Sequence, residues 1–186
     1  MKNLIKPKAF LLVSILLLVA NSALAGVDIV DQCSFQPPRA LLQASAYPHY
    51  AFKPDTDNRA VESAELRDGL RIEISHHQCV DILSREISLI VPAPAAERND
   101  DAWLAFARTE IGRLKRQDRS DDFSELQRFL TEAGHIAPQN GTRSACKDHS
   151  KAPAGECTWE SMGGFIFKVS KSKGKVRISA TEYTSG

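Results

Sequence analysis

Between Ser75 and Ile82 the sequence reads SHHQCVDI, which sets His76, His77 and Cys79 within four residues. Imidazole and thiolate are the side chains that hold zinc and other transition metals, so a metal site is the first chemistry to test. Adjacent residues of an extended strand point to opposite faces, which keeps His76 and His77 from gripping one ion together. His49, His135 and His149 are scattered, and the chain has neither an H-E-x-x-H helix nor paired C-x-x-C knuckles. Neither a metal nor a cofactor is expected on these grounds.

The competing use of Cys79 is a disulfide, and the N-terminus decides whether that use is open to it. Lys2, Lys6 and Lys8 precede the apolar run FLLVSILLLVA and then NSALA, in which Ala23 and Ala25 make the small-x-small pattern of a signal-peptidase site. Residues 1–25 are therefore expected to be a signal peptide, with residues 26–186 a single periplasmic or secreted α+β domain. Cys33 lies eight residues past that cut, in VDQC, which speaks against a lipoprotein anchor. No later stretch approaches the roughly 20 apolar residues of a spanning helix, so no membrane span is expected.

In an oxidising compartment four cysteines most often form two bridges. Cys146 and Cys157 bracket KDHSKAPAGE, a stretch of turn formers able to close a loop, which leaves Cys33 for Cys79. That pairing removes the thiolate from SHHQC and turns the stretch into an anchored bend.

The flanking patterns define that bend. GLRIEIS alternates Leu70, Ile72 and Ile74 against Arg71, Glu73 and Ser75, the period of a half-buried strand. ILSREISLIV sets Leu83, Ile87, Leu89 and Val91 on one face, with Arg85 as the exception. The two runs predict an antiparallel hairpin turning at HHQCV. VPAPAAERND then leads to a helix in NDDAWLAFARTEIGRLKR, capped by Asn99 or Asp100 and striped by Leu104, Ala107, Ile111 and Leu114, with Trp103 and Phe106 widening the stripe. A second helix follows in SDDFSELQRFLTEAG, from a Ser120 or Asp121 cap to Gly134, burying Phe123, Leu126, Phe129 and Leu130. CTWESMGGFIFKVS and KVRISATEY predict a second hairpin, with Gly163 and Gly164 at a bulge or kink. The expected fold is α+β: an antiparallel sheet of about four to five strands against two helices, stapled by two disulfides.

Charge and motifs narrow the function. Loss of residues 1–25 removes Lys2, Lys6 and Lys8 and no acid, leaving 21 basic residues against 23 acidic, which does not mark a nucleic-acid binder. Lys168, Lys171, Lys173, Lys175 and Arg177 decorate the last hairpin; such lysines keep an edge from pairing with other chains, and they could also touch an anionic surface. There is no G-x-S-x-G elbow and no glycine-rich phosphate loop, and Glu73, Asp81, Glu86 and Glu160 are the acids that folding could bring together. No catalytic residue is expected. The reading is an exported, non-catalytic binding protein of the bacterial cell envelope, an inhibitor or toxin-immunity protein with a protein partner. The alternative is a small periplasmic hydrolase or metal-dependent enzyme with dispersed residues.

Overall fold

A computed structural model describes residues 37–56, 58–78, 82–92, 98–118, 120–147, 163–172 and 174–185. Residues 1–36, among them the expected signal peptide and Cys33, lie outside the described residues, as do Cys79, Asp81, His149, Cys157, Glu160 and Lys173. The strands are β1 (Ala51–Thr56), β2 (Arg59–Glu65), β3 (Arg71–Gln78), β4 (Ile82–Pro92), β5 (Thr142–Cys146), β6 (Gly164–Ser172) and β7 (Lys175–Ser185). Two helices, α1 (Asp100–Asp118) and α2 (Asp121–Glu132), lie between β4 and β5. All strands join one antiparallel sheet in the order β1-β2-β3-β4-β7-β6-β5. Two meanders thus meet at β4 and β7, and the helical excursion lets β5 start at the far edge.

The α+β class stands, but the sheet has seven strands, not four to five. The additional strands were hidden by their inward residues. In β2 the buried positions are Ala60, Glu62 and Ala64, so a carboxylate stands where alternation asks for an apolar side chain. In β5 the inward positions are Arg143 and Ala145, so a charge again stands where alternation asks for an apolar side chain. β1 contains Pro54, which an edge strand tolerates because one side of its ladder is unpaired. A second correction concerns the bend: β3 runs through His76 and His77 to Gln78, so both histidines are strand residues.

The apolar stripes determine which face the helices cover. Ile72 and Ile74 of β3 stand opposite Leu89 and Ile87 of β4, and Phe167 of β6 stands opposite Ala180 of β7. These pack with Trp103, Leu104, Ala107, Ile111 and Leu114 of α1 and with Phe123, Leu126, Phe129 and Leu130 of α2 in one core. Each of the leucine, isoleucine and phenylalanine side chains among them contributes roughly 1.5–3 kcal/mol on burial. Asn99 Oδ1 accepts from Ala102 N at 2.9 Å and Ser120 Oγ from Asp122 N at 3.3 Å, which satisfies free amides at both helix starts. The helices approach closely at Gly112, where a Cβ would lie 2.8 Å from the Gln127 amide nitrogen. No described helix is long and apolar enough to cross a membrane.

Arg143 explains why β5 belongs to the fold despite its charge. Its guanidinium donates to the carbonyls of Ala133 (3.0 Å) and Ile136 (2.7 Å) beyond the end of α2 and to Asp101 (2.5 Å) in the first turn of α1. One side chain therefore fastens the edge strand to both helices.

Candidate functional site

Three groups of polar residues stand apart from the core, and their geometry separates structural work from binding. The first is buried under the helices. His76, Arg85 and Glu182 form one row in register across β3, β4 and β7, which Phe165 continues on β6. Beside the row, Glu62 is fully buried and accepts from the backbone N–H groups of Leu41 and Leu42, each at 2.9 Å. His76 Nε2 lies 3.3 Å from the same carboxylate, and Tyr50 hydrogen-bonds to it as well. Burial pushes the Glu62 carboxyl up, but His76 and the two amides outweigh it and hold the group below its ordinary value. Burial, with the Glu62 charge and hydrogen bond, pushes the Tyr50 hydroxyl up to about 12.

Further along, Arg85 Nη1 sits 2.6 Å from Asp122 Oδ1 and 3.7 Å from Glu182 Oε2. Burial raises the Asp122 carboxyl, while Arg85, Ser120 and His76 together bring it below its ordinary value. Lys147 Nζ completes the series, 2.8 Å from Glu182, 3.0 Å from Thr184 Oγ1 and 5.7 Å from the centre of the Phe165 ring. These charges answer one another, and a carboxylate with four donors, as Glu62 has, has little capacity left for substrate. The row holds the segment around Leu41 and the first turn of α2 onto the sheet. A buried charge that is paired this fully is costly to break and is poor ground for chemistry.

The second group lies on the opposite face, where neither helix packs. Glu73 and Glu86, two of the four acids singled out in the sequence, flank Arg177 there, at 3.1 and 3.9 Å; Asp81 and Glu160 lie outside the described residues. Ser88 is almost fully buried beneath these side chains, donating to Glu86 Oε1 at 2.8 Å and accepting from Arg177 at 3.1 Å. The basic hairpin divides between faces: by strand alternation Lys168, Lys175 and Arg177 share this face, and Lys171 projects to the other.

The third group is a groove of about 530 Å³ at the β1-β2-β3 corner of this same face, lined by His49, Lys53, Ser63, Glu65, Gly69 and Arg71. Two pinned turns form its rim. Glu65 N donates to Pro48 O at 3.0 Å, while Leu66 N donates to Leu70 O and Leu70 N to Arg67 O, both at 2.8 Å. His49 and Asp68 have φ near +50°, an uncommon conformation for residues other than glycine, and the first presents an imidazole 3.6 Å from Glu65 at the groove. Lys53 and Arg71 have no ion-pair partner among the described residues. By contrast, the cavity of about 150 Å³ beside Arg67, Glu110 and Arg113 is lined by cations already bound to Glu110, at 2.7 and 3.0 Å.

No group of three His, Cys, Asp or Glu side chains among the described residues is placed to hold a metal ion. Cys146, the one cysteine described, is buried and disulfide-bonded; no complete disulfide pair falls within the described residues. Sequence reasoning missed Glu62 and the groove. Arg85, out of pattern in its strand, was the legible sign of the buried row. Comparison of the chain with protein-family models, with curated proteins and with solved structures gives no match.

Proposed function

We propose that this chain is an exported binding protein of the bacterial cell envelope, without a catalytic role, which occupies a protein partner in the manner of an inhibitor or a toxin-immunity protein. The observation that carries this reading is the groove on the helix-free face: its rim is held by backbone hydrogen bonds, and Lys53 and Arg71 stand in it without ion-pair partners among the described residues. Unpaired charges in a pre-formed concavity suit recognition, since little ordering is needed on binding. Export by residues 1–25 and the bridges Cys33–Cys79 and Cys146–Cys157 belong to the same proposal. The test is affinity capture from envelope extract with the chain expressed from its own signal segment. One protein retained in stoichiometric amount, together with a mature N-terminus at Gly26 by mass, is expected. An intact Met1, a lipid on Cys33, or no retained protein would remove the reading.

The alternative, a small periplasmic hydrolase, has one observation in its favour: Ser88 Oγ donates to the Glu86 carboxylate beside the Arg177 guanidinium. Against it, Ser88 is 1% exposed, and a nucleophile must reach its substrate. Turnover of an ester substrate that is abolished by Ser88→Ala would favour this alternative.

A further inference from the structure

We infer that the partner presents an acidic protein segment, which docks across the helix-free face of the sheet with its carboxylates on Lys53 and Arg71. This rests on the binding reading above and adds the chemistry of the bound surface. The two layers of the fold differ in sign. By strand alternation in register, the helix-free face carries Lys53, Arg59, Arg71, Lys168, Lys175 and Arg177 against Glu65, Glu73 and Glu86, six cations to three carboxylates. Asp55 sits at the irregularity of β1 between Pro54 and Thr56 and falls outside that register. The helix layer is opposite: α1 and α2 contain eight acids against five basic residues. The whole chain carries only +1, so the basic character of the sheet face comes from segregation and not from composition.

Pairing within the face leaves particular charges over. Arg177 is taken by Glu73 and Glu86, and Glu65 by His49. Lys53, Arg59, Arg71, Lys168 and Lys175 remain without an ion-pair partner among the described residues, and of these Lys53 and Arg71 line the same groove, on either side of β2. Lys53 stands opposite Val61 and Arg71 opposite Glu65, four residues apart along β2, so with strands about 4.8 Å apart and about 3.4 Å per residue their backbones are separated by roughly 17 Å, a span that carboxylates several residues apart on one extended acidic segment can bridge. The small side chains of Ala51 and Ser63 leave the floor between them low enough for such a segment.

The pattern favours a protein over a lipid surface. A membrane leaflet is flat and uniformly anionic, and Glu65, Glu73 and Glu86 set among the cations would meet like charge across it. A folded partner can place its own cations against those carboxylates and its acids against Lys53 and Arg71, which is how mixed charge sets register at an interface.

The probe is a fluorescein-labelled oligoglutamate peptide, titrated by anisotropy against the mature protein at low and physiological salt. Binding is expected to weaken with salt and to fall about tenfold in Lys53→Glu/Arg71→Glu, with Lys115→Glu on the exposed side of α1 unchanged. Lys53→Gln/Arg71→Gln, a milder change, should show the same direction if charge reversal disturbs folding. Absence of peptide binding, or binding indifferent to both double variants, overturns the proposal. Binding to phosphatidylglycerol vesicles in place of the peptide also overturns it and assigns the face to membrane. Capture of one envelope protein equally by the unmutated chain and by Lys53→Glu/Arg71→Glu would overturn this docking mode and leave the binding function intact, whereas no capture by the unmutated chain removes the function itself.

Discussion

His76 Nε2 lies 3.3 Å from Oε2 of Glu62, in a place where both side chains are almost wholly withdrawn from solvent. The first histidine of SHHQC is therefore the partner of a buried carboxylate, while His77, on the other face of the same strand, is half-exposed. Adjacent residues in one strand do different work because strand alternation puts them in different media.

Removing the His76 ring should be damaging. His76→Ala takes one donor from a buried carboxylate and leaves a gap beside Phe52, whose ring centre is 6.0 Å away. Loss of a buried charge-assisted partner costs about 2–3 kcal/mol, so the urea midpoint should fall well below that of His77→Ala. Equal midpoints for the two variants would show that the pair adds nothing.

Acid should unfold the protein through Glu62 and Asp122. Both carboxyls are held below their ordinary values of 4.5 and 3.8 in the fold, so each adds stability above the unfolded value, and that stability is lost as pH falls through the folded value. Stability measured by urea titration should decline below about pH 5. Glu62→Gln should be less stable at neutral pH and show a shallower acid decline; a slope unchanged from the parent would contradict this.

Gly163 should not tolerate a side chain. Its φ is +110°, and a Cβ there would lie 2.1 Å from the Tyr183 carbonyl oxygen. Gly163→Ala is expected to cost more than about 3 kcal/mol or to prevent folding, because both conformation and space oppose it. Gly134→Ala is the contrast: nothing lies within 4 Å of its Cβ position, and the change should be neutral or raise the thermal midpoint slightly.

Non-reducing peptide mapping should find Cys146 joined to Cys157 and Cys33 joined to Cys79. The first link follows from short-loop closure and the second from elimination. Reduction should cost roughly 2–5 kcal/mol for each bridge. A Cys146–Cys79 peptide would refute the pairing and leave Cys146 buried in a different bridge.

Local pattern alone determined the parts of this protein whose buried residues are apolar. Ile72 and Ile74, the stripes from Leu104 to Leu114 and from Phe123 to Leu130, and the facing residues of the last hairpin were all legible, since periodicity reports directly on which side chains leave water. The caps were legible to within one residue, as Asn99 or Asp100 and Ser120 or Asp121, for a similarly local reason, and the side-chain oxygens that reach their own helix starts are those of Asn99 and Ser120. Tertiary structure decided everything that depends on a distant partner. Glu62 and Arg143 face inward only because amides twenty residues away and carbonyls past α2 receive them, so β2 and β5 broke the apolar alternation that marks a strand. The groove likewise exists only where the turn before β1 and the turn after β2 meet, and no single stretch of the chain contains both Lys53 and Arg71 at a spacing that signals their shared wall.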